Sequence, residues 1–316
     1  YCVASCPMCP RNFYGMKHNG GYPVTNVSLA NFTKVFSKKF IMQLENVRFN
    51  GNFGDFNMNP EAAEIVEYLR QNNSEMKIKI NTNGHSRSKE FYRRLATSDP
   101  EIRFDLDGLG DTHHLHRKGT SFQRVLENAK EFINAGGKAV WKMIVFDHNK
   151  HQVDECRKLA TDLKFNGFII ANDGRNDAFV FKNDGSHSHT IGKPPHSKPL
   201  DARELLQWKA AHDWRSDVKE KKRIVCQALR DKKIFMSSTG DIYPCCWLGF
   251  SPKTYDDKLY YGNGQLKELM GDVKINAISH GLDTALEWFT RVEDSWRKKD
   301  FKSGKLYRCD MYCGKN

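Results

Sequence analysis

Between about residue 40 and residue 172, short runs of aliphatic and aromatic residues alternate with longer stretches in which apolar positions recur every three to four residues. The runs Asn46–Phe49, Lys77–Asn81, Ile102–Leu106, Ala139–Phe146 and Gly167–Ala171 have strand length, and the stretches Pro60–Gln71, Ser88–Ala96, Ser121–Ala135 and Gln152–Leu163 have the helical period. Pro60 suits a helix start and Gly136-Gly137 a helix stop. Repeated strand-then-helix order predicts a parallel sheet covered by helices, whose ligands bind where the loops converge after the strands. Residues 172–199, rich in Gly, Ser, His, Asn and Pro, break the pattern and predict a long loop or lid. A helical segment from Asp201 to about Lys221 follows. Then come a hairpin (Lys233–Ser237 and Asp241–Cys245, turning at Ser238-Thr239-Gly240), a helix from about Gly281 to Lys298, and a cysteine-bearing tail. There is no internal repeat.

Composition narrows the class. A chain of 316 residues, 39% hydrophobic, can bury one large core and a smaller satellite domain. No apolar run approaches the roughly 20 residues that span a bilayer, and the N-terminus lacks the charged-then-apolar order of a signal peptide, so a soluble, cytoplasmic protein without a membrane partner is expected. Nine cysteines, odd in number and clustered at short spacings, fit reduced metal-binding thiols better than disulfides. The net charge of +12 raises the question of a polyanionic partner. The basic groups Lys38-Lys39, Lys221-Lys222-Arg223 and Arg297-Lys298-Lys299 lie beside acids or in helical spacing, however, and read as solvated helix faces.

The candidate chemistry is in the cysteines. Cys2, Cys6 and Cys9 form CxxxCxxC, a loop able to hold three irons of a [4Fe-4S] cube and leave the fourth open to a small molecule. A zinc site is the alternative, although zinc loops usually pair with a second CxxC or with histidines, and His18 alone is near. A second group comprises Cys226, Cys245, Cys309 and Cys313, with thirteen residues between Cys226 and Gly240 and four between Gly240 and Cys245. Four thiolates complete one cube, and would equally serve a tetrahedral zinc; Cys246 could replace Cys245. Cys156 falls on an amphipathic stretch and reads as core. The histidines at 113, 114, 116, 187, 189 and 196 lie in turn-like sequence without ligand spacing.

In the order of these features the chain resembles the radical S-adenosylmethionine (SAM) superfamily. After the cysteine loop and the first predicted strand, Asn50-Gly51-Asn52-Phe53-Gly54-Asp55 stands where that family carries its glycine-rich motif, with Gly54-Asp55-Phe56 in place of Gly-Glu-Pro. Asn81-Thr82-Asn83-Gly84 is similar to the family's Thr-Asn-Gly, and Asp105-Leu106-Asp107-Gly108 to its Ser-Ile-Asp-Gly; Arg117 and Asn149 match an arginine and an asparagine of its peptide-modifying and dehydrogenase branches. The spacing Cys226–Gly240–Cys245 resembles the signature opening the family's SPASM and twitch domains. The cysteines are too few for a third cluster, which favours twitch.

The resemblance implies a partial (β/α)6 TIM-like barrel followed by a small α+β twitch domain. Residues 1–200 would be the radical SAM core, lacking the family's usual first strand and with 173–200 as loop or lid. Residues 201–316 would be a linker helix and an auxiliary-cluster domain. It implies two [4Fe-4S] clusters, on Cys2, Cys6 and Cys9 and on Cys226, Cys245, Cys309 and Cys313. SAM would be bound by Met8 at the adenine, by Asn52, Gly54, Asp55, Asn83, Asp105, Asp107 and Asn149, and by Arg117 at the carboxylate. The implied activity is reductive cleavage of SAM to a 5′-deoxyadenosyl radical that abstracts hydrogen from a peptide or small metabolite, giving oxidation or modification, with flavodoxin or ferredoxin as electron donor. No residue is singled out for catalysis. The competing expectation is a non-catalytic metal-thiolate protein, zinc or iron-sulfur, binding nucleic acid through its basic surface.

Overall fold

The apolar runs that alternate with helical stretches form one parallel sheet in the computed structural model of the chain, which describes residues 1–9, 11–12, 14–16, 24–171, 178–192, 201, 203–204, 207, 220–221, 223–250 and 263–316. Strands β1 (Asn46–Phe49), β2 (Lys77–Thr82), β3 (Glu101–Asp105), β4 (Lys138–Ile144) and β5 (Gly167–Ala171) lie side by side in chain order, each parallel to its neighbours. The crossover helices Ala62–Asn72, Lys89–Ala96, Phe122–Asn134 and Val153–Asp162 connect successive strands. This is the α/β architecture of a partial TIM-like barrel, here with five strands. The helices begin where side-chain oxygens can take orphan N–H groups: Ser88 Oγ accepts from Phe91 N and Ser121 Oγ from Arg124 N. Pro60 falls two residues before its helix, whose entry is turned by Asn59 Oδ1 accepting from Glu61 N at 3.0 Å.

Two compact units divide the chain, one of Tyr1–Gly20 with Ser37–Arg203, the other of Gly21–Phe36 with Glu204–Asn316. In the first, the alternation along β2 and β3 sends Ile78, Ile80, Ile102 and Phe104 into the core. The Phe104 ring lies 5.8 Å from Tyr92, 6.2 Å from Phe132 and 6.4 Å from Phe165. Trp141 on β4 is fully buried, and its indole Nε1 donates to Leu106 O at 2.9 Å, which satisfies its one polar atom. Cys156, on the helix Val153–Asp162, is likewise buried.

The segment expected to be a loop contains an antiparallel hairpin, β6 (Ala178–Phe181) with β7 (His187–Ile191), turning through Asp184-Gly185; residues 172–177 and 193–200 lie outside the described residues. The reason is tertiary: Phe179, Val180, Phe181 and Ile191 are buried, Phe181 N donates to Tyr14 O, and Lys118 Nζ donates to the carbonyls of Gly15 and Phe181. An apolar run of four residues among polar ones is too short to announce this.

In the second unit, β9 (Phe235–Met236) and β10 (Ile242–Tyr243) make the expected hairpin with Gly240 in its turn, and β8 (Arg223–Ile224) pairs antiparallel with β11 (Gly314–Lys315). The helical segment expected from Asp201 lies largely outside the described residues. The expected single helix over 281–298 is two, Leu282–Leu286 and Phe289–Ser295. Between them the buried Trp288 donates its indole N–H to Ile242 O at 3.2 Å and packs edge-on to Tyr243, which takes precedence over helical continuity. The core joins Tyr243, Leu248, Leu266, Ile275, Trp288, Val292 and Leu306. Among the described residues no helix is long and apolar enough to cross a membrane.

Phe104 is the ring on which three others converge, so Phe104→Ala should cost about 3–5 kcal/mol of stability. Urea denaturation followed by far-UV circular dichroism checks it; a loss below about 1 kcal/mol would contradict this packing.

Candidate active site

The cysteine loop hangs from two backbone contacts. Tyr1 O accepts from Asp55 N at 2.8 Å, and Ser5 N donates to Lys118 O at 2.7 Å. Both approaches run past glycine: a Cβ on Gly54 would stand 2.7 Å from Tyr1 O, and one on Gly119 (φ +85°) 3.0 Å from Val3 O. Side chains at these positions would lift the loop, so the glycine after β1 has a local reason to be there. Within the loop Cys9 N donates to Cys6 O at 3.1 Å and Asn12 N to Cys9 O at 2.9 Å, a succession of turns that gathers Cys2, Cys6 and Cys9. Cys6 is buried, Cys2 and Cys9 half-buried, and all three are free thiols. Burial pushes the Cys2 thiol up to about 11, with the Asp55 charge adding to it. Burial pushes Cys6 up to about 12 against the opposing pull of Arg117. Burial therefore favours the protonated thiols, and a metal cluster bound here would have to displace those protons. Asn83 Nδ2 donates to Cys2 Sγ at 3.6 Å, the kind of outer hydrogen bond that orients a ligating sulfur.

The residues expected at the strand ends are each placed there, with their polar groups occupied from within the chain. Asp55 is buried; its carboxylate accepts from Thr82 Oγ1 (2.9 Å), Asn83 N (2.7 Å) and Asn57 N (3.0 Å). Burial pushes this carboxyl up against those three donors. Asn52 is half-buried in the turn before Gly54. Asn149 Oδ1 accepts from Phe146 N at 2.7 Å and its Nδ2 donates to Ile144 O at 3.0 Å, fixing the turn after β4. Met8 packs against Ile144, Phe146, Val180 and Ile191 beside Ala171, an apolar patch at the ends of β4 and β5.

Under the cysteine loop lies a buried ionic network. Asp107, fully buried, accepts from Arg117 Nε at 2.6 Å, His116 Nδ1 at 2.7 Å and Ile144 N at 2.7 Å. Asp105 lies 3.4 Å from Arg117 Nη1 and accepts from Lys142 Nζ at 2.9 Å. Burial pushes the Asp107 carboxyl up, but the Arg117 charge and the His116 and Ile144 donors outweigh it and hold it well below the usual carboxylate range. Burial opposes the charge on Arg117, and the Asp105 and Asp107 carboxylates more than restore it, with Cys6 also within electrostatic reach. His113 braces the same turn. Its Nδ1 accepts from Asp107 N, so the neutral ring keeps its proton on Nε2 and donates to Thr120 Oγ1 at 2.9 Å; burial lowers its pKa to about 3.

His113 and His116, whose sequence surroundings gave no metal-ligand spacing, serve the ionic network instead. They lie three residues apart on the short helix His113–His116, on one face, between the aspartate and the arginine that the motif singles out. That spacing was the available signal.

In the second unit four thiols surround one largely apolar cavity of about 350 Å³, lined by Cys226, Cys245, Cys309 and Cys313 with Ala228, Leu248, Phe289 and Trp296 among others. Cys226 caps the short helix Gln227–Arg230, its Sγ accepting from Leu229 N at 3.5 Å. Cys313 ends the helix Tyr307–Cys313; its carbonyl accepts from Val225 N at 2.9 Å, and the β8–β11 pair brings it beside Cys226, with which it shares a thiol hydrogen bond. That bond raises Cys226 and lowers Cys313. Burial pushes Cys245 up to about 11 and Cys309 up to about 12. Cys245, and not its neighbour Cys246, lines the cavity. Inside the helix that carries Cys309 and Cys313, Asp310 pairs with Lys305 at 2.8 Å in near-complete burial and accepts from Lys221 N. Among the described residues no three His, Cys, Asp or Glu side chains converge closely enough to hold a single metal ion. A cube, with one thiolate on each iron, spaces its ligands more widely.

The radical SAM superfamily matches residues 1–160, half of the chain, and the match spans the cysteine loop, β1 to β4 and the ionic network. The chain belongs to the radical SAM superfamily. Solved structures with similar folds include anSMEcpe with bound AdoMet, 16% identical, covering 99% of this chain and 86% of that one with a TM-score of 0.53. SuiB from Streptococcus suis bound to the precursor peptide SuiA is also 16% identical, covering 98% of this chain and 68% of that one with a TM-score of 0.54. SuiB bound to S-adenosylmethionine is 15% identical, covering 98% and 67%, with a TM-score of 0.53. At such identities the likeness speaks to fold. No curated protein matches the sequence.

A radical SAM enzyme uses one [4Fe-4S] cluster and SAM, which sets aside the expectation of a non-catalytic thiolate protein. The donor set fits the cluster: three free thiols in one loop, a hydrogen bond on one sulfur, and a fixed positive charge near another.

Removing Asp107 leaves the Arg117 charge buried with only the more distant Asp105, so Asp107→Ala should cost about 3–5 kcal/mol, the scale for breaking a buried ion pair. Chemical denaturation of the variant tests this, and a loss under about 1 kcal/mol would show that the network does not carry the turn.

Proposed function

We propose that this radical SAM enzyme oxidises or modifies a peptide or small metabolite and that its second unit is a twitch domain holding a second [4Fe-4S] cluster. The observation that carries the reading is the cavity with four cysteines on its wall, in a unit distinct from the one that carries the SAM chemistry. Cys2, Cys6 and Cys9 would hold the cluster, which when bound and reduced would supply the electron for reductive cleavage of SAM. Everything else falls to the chain. Arg117, locked between Asp105 and Asp107 and close to Cys6, offers a fixed positive charge that would suit the SAM carboxylate. Met8 and its apolar neighbours offer a surface for the adenine. Gly54 lets backbone come close to the ligand, while Asp55, Asn83 and Asn149 hold the strand-end turns in shape. Asn52 lies in the same glycine-rich turn. A small flavodoxin or ferredoxin would deliver the electron.

With Cys226, Cys245, Cys309 and Cys313 all available, no iron of a second cube is left open for substrate, which favours an electron-accepting role over substrate binding. A substrate carbon radical beside nitrogen or oxygen would lose a proton to solvent or base and pass its electron to that cluster, completing a two-electron oxidation. A peptide substrate draws support from the SuiA peptide bound to SuiB, a protein of similar fold.

Two measurements follow. Anaerobic reconstitution should load about eight irons per chain, and Cys245→Ala should leave about four while Cys246→Ala keeps about eight; zinc in the second site, or the same loss from Cys246→Ala, would contradict the ligand set. Incubation of the reduced enzyme with SAM should release 5′-deoxyadenosine, and Cys6→Ala should abolish it. Continued release from the Cys6→Ala variant would overturn the assignment of the first cluster.

A further inference from the structure

The loop that follows β2 borders a recess that none of the SAM-binding roles uses. It has a volume of about 450 Å³ and is lined by Val3, Met58, His85, Ser86, Arg87 and Arg124. Val3 lies between Cys2 and Cys6, so the recess adjoins the cysteine loop on the face where the strand-end loops converge.

The polar side chains on its wall, those of His85, Ser86, Arg87 and Arg124, can all donate hydrogen bonds, and none is acidic. Ser121 N donates to His85 Nδ1 at 3.0 Å, so a neutral His85 ring carries its proton on Nε2 and can only donate there. Burial and the nearby Arg124 charge lower the His85 pKa and favour that neutral form. The Ser86 hydroxyl is buried and has no hydrogen-bond partner among the described residues, an uncommon condition for a polar atom outside a binding site. Neither Arg87 nor Arg124 forms an ion pair among the described residues, and no carboxylate lines the recess. Arg87 is preorganised: it takes the left-handed conformation (φ 78°), donates Nε to Asn57 O at 2.6 Å and Nη2 to Asn59 O, and sits 5.0 Å over the Phe91 ring. Arg124 is exposed, and its guanidinium donates Nη2 to Arg87 O at 3.1 Å. Val3 and Met58 supply an apolar wall.

We propose that this recess binds the oxyanion, phosphate or carboxylate, of a small-molecule or peptide substrate and so anchors that substrate beside the SAM-cleaving cluster. The anchoring role rests on the radical SAM reading of the first unit; the anion site rests on the recess alone. Arg124 and the Ser86 hydroxyl are its ligands, with His85 Nε2–H as a third donor and Arg87 supplying field. A recess with an unpartnered buried hydroxyl on a lining residue favours a small anionic group over the broad acidic face of a redox protein.

The test is calorimetric titration of the reconstituted full chain with inorganic phosphate and, separately, acetate, each at ionic strength held constant with chloride. Saturable binding is expected. Arg124→Ala should weaken it roughly tenfold or more and Ser86→Ala severalfold, the scale of lost hydrogen bonds to a charged group, while circular dichroism and SAM affinity stay at wild-type values. Tighter phosphate binding would point to phosphorylated substrates and tighter acetate binding to carboxylates. Absence of saturable binding by either anion, or phosphate binding untouched by both variants, would overturn the proposal. So would variants that slow reduction by flavodoxin while leaving phosphate binding unchanged, since the recess would then be a docking site. Failure of the wild-type enzyme to cleave SAM would count against the radical SAM reading and leave the phosphate result standing.

Discussion

The first unit depends on the suspension of the cysteine loop between Asp55 and Lys118. Three thiols can share one cluster only if nine residues with little regular structure are held in one path, and loop backbone gains that order from a few long-range bonds. Here Tyr1 O is fixed by Asp55 N and Ser5 N by Lys118 O, at points where Gly54 and Gly119 remove the Cβ that would hold the chains apart. The two supports come after different strands, β1 and β3, so the sheet itself sets the separation between the loop's two anchor points, Tyr1 and Ser5.

Those supports need a firm base, and the buried charges provide it. Asp55 ties the β1 end to the β2 end through Thr82 and Asn83. Asp107 ties the β3 end to β4 through Ile144 N and grips Arg117, whose next residue, Lys118, holds the loop. A buried carboxylate costs several kcal/mol in desolvation unless donors surround it, and each of these has three. The network therefore fixes the loop and places a positive charge by Cys6 in one arrangement.

Much of this was legible in the sequence because βα repetition gives two periods at once. β1 and β5 fall where the apolar runs put them, and the helices start at Ser88 and Ser121 because a hydroxyl there caps free N–H groups. The cysteines were legible from spacing, since ligands in one loop must be close in sequence. Residues whose role arises only after folding were hidden. Phe179 to Phe181 become a strand because Tyr14 and Lys118 meet their backbone, partners more than 60 residues away in the chain. Trp288 breaks its helix for a carbonyl 46 residues distant. The residues named for SAM are at the strand ends as the motifs imply, but much of their side-chain capacity is spent on one another, which no motif conveys.

The central claim is that the first cluster has three protein ligands and an iron left for SAM, whereas the second is closed by four. Electron paramagnetic resonance of the anaerobically reconstituted, reduced enzyme with and without SAM addresses it directly. Two overlapping [4Fe-4S] signals are predicted, with SAM changing the spectrum of one and leaving the other as it was. A spectrum that SAM does not alter, in protein shown to contain both clusters, would contradict the account.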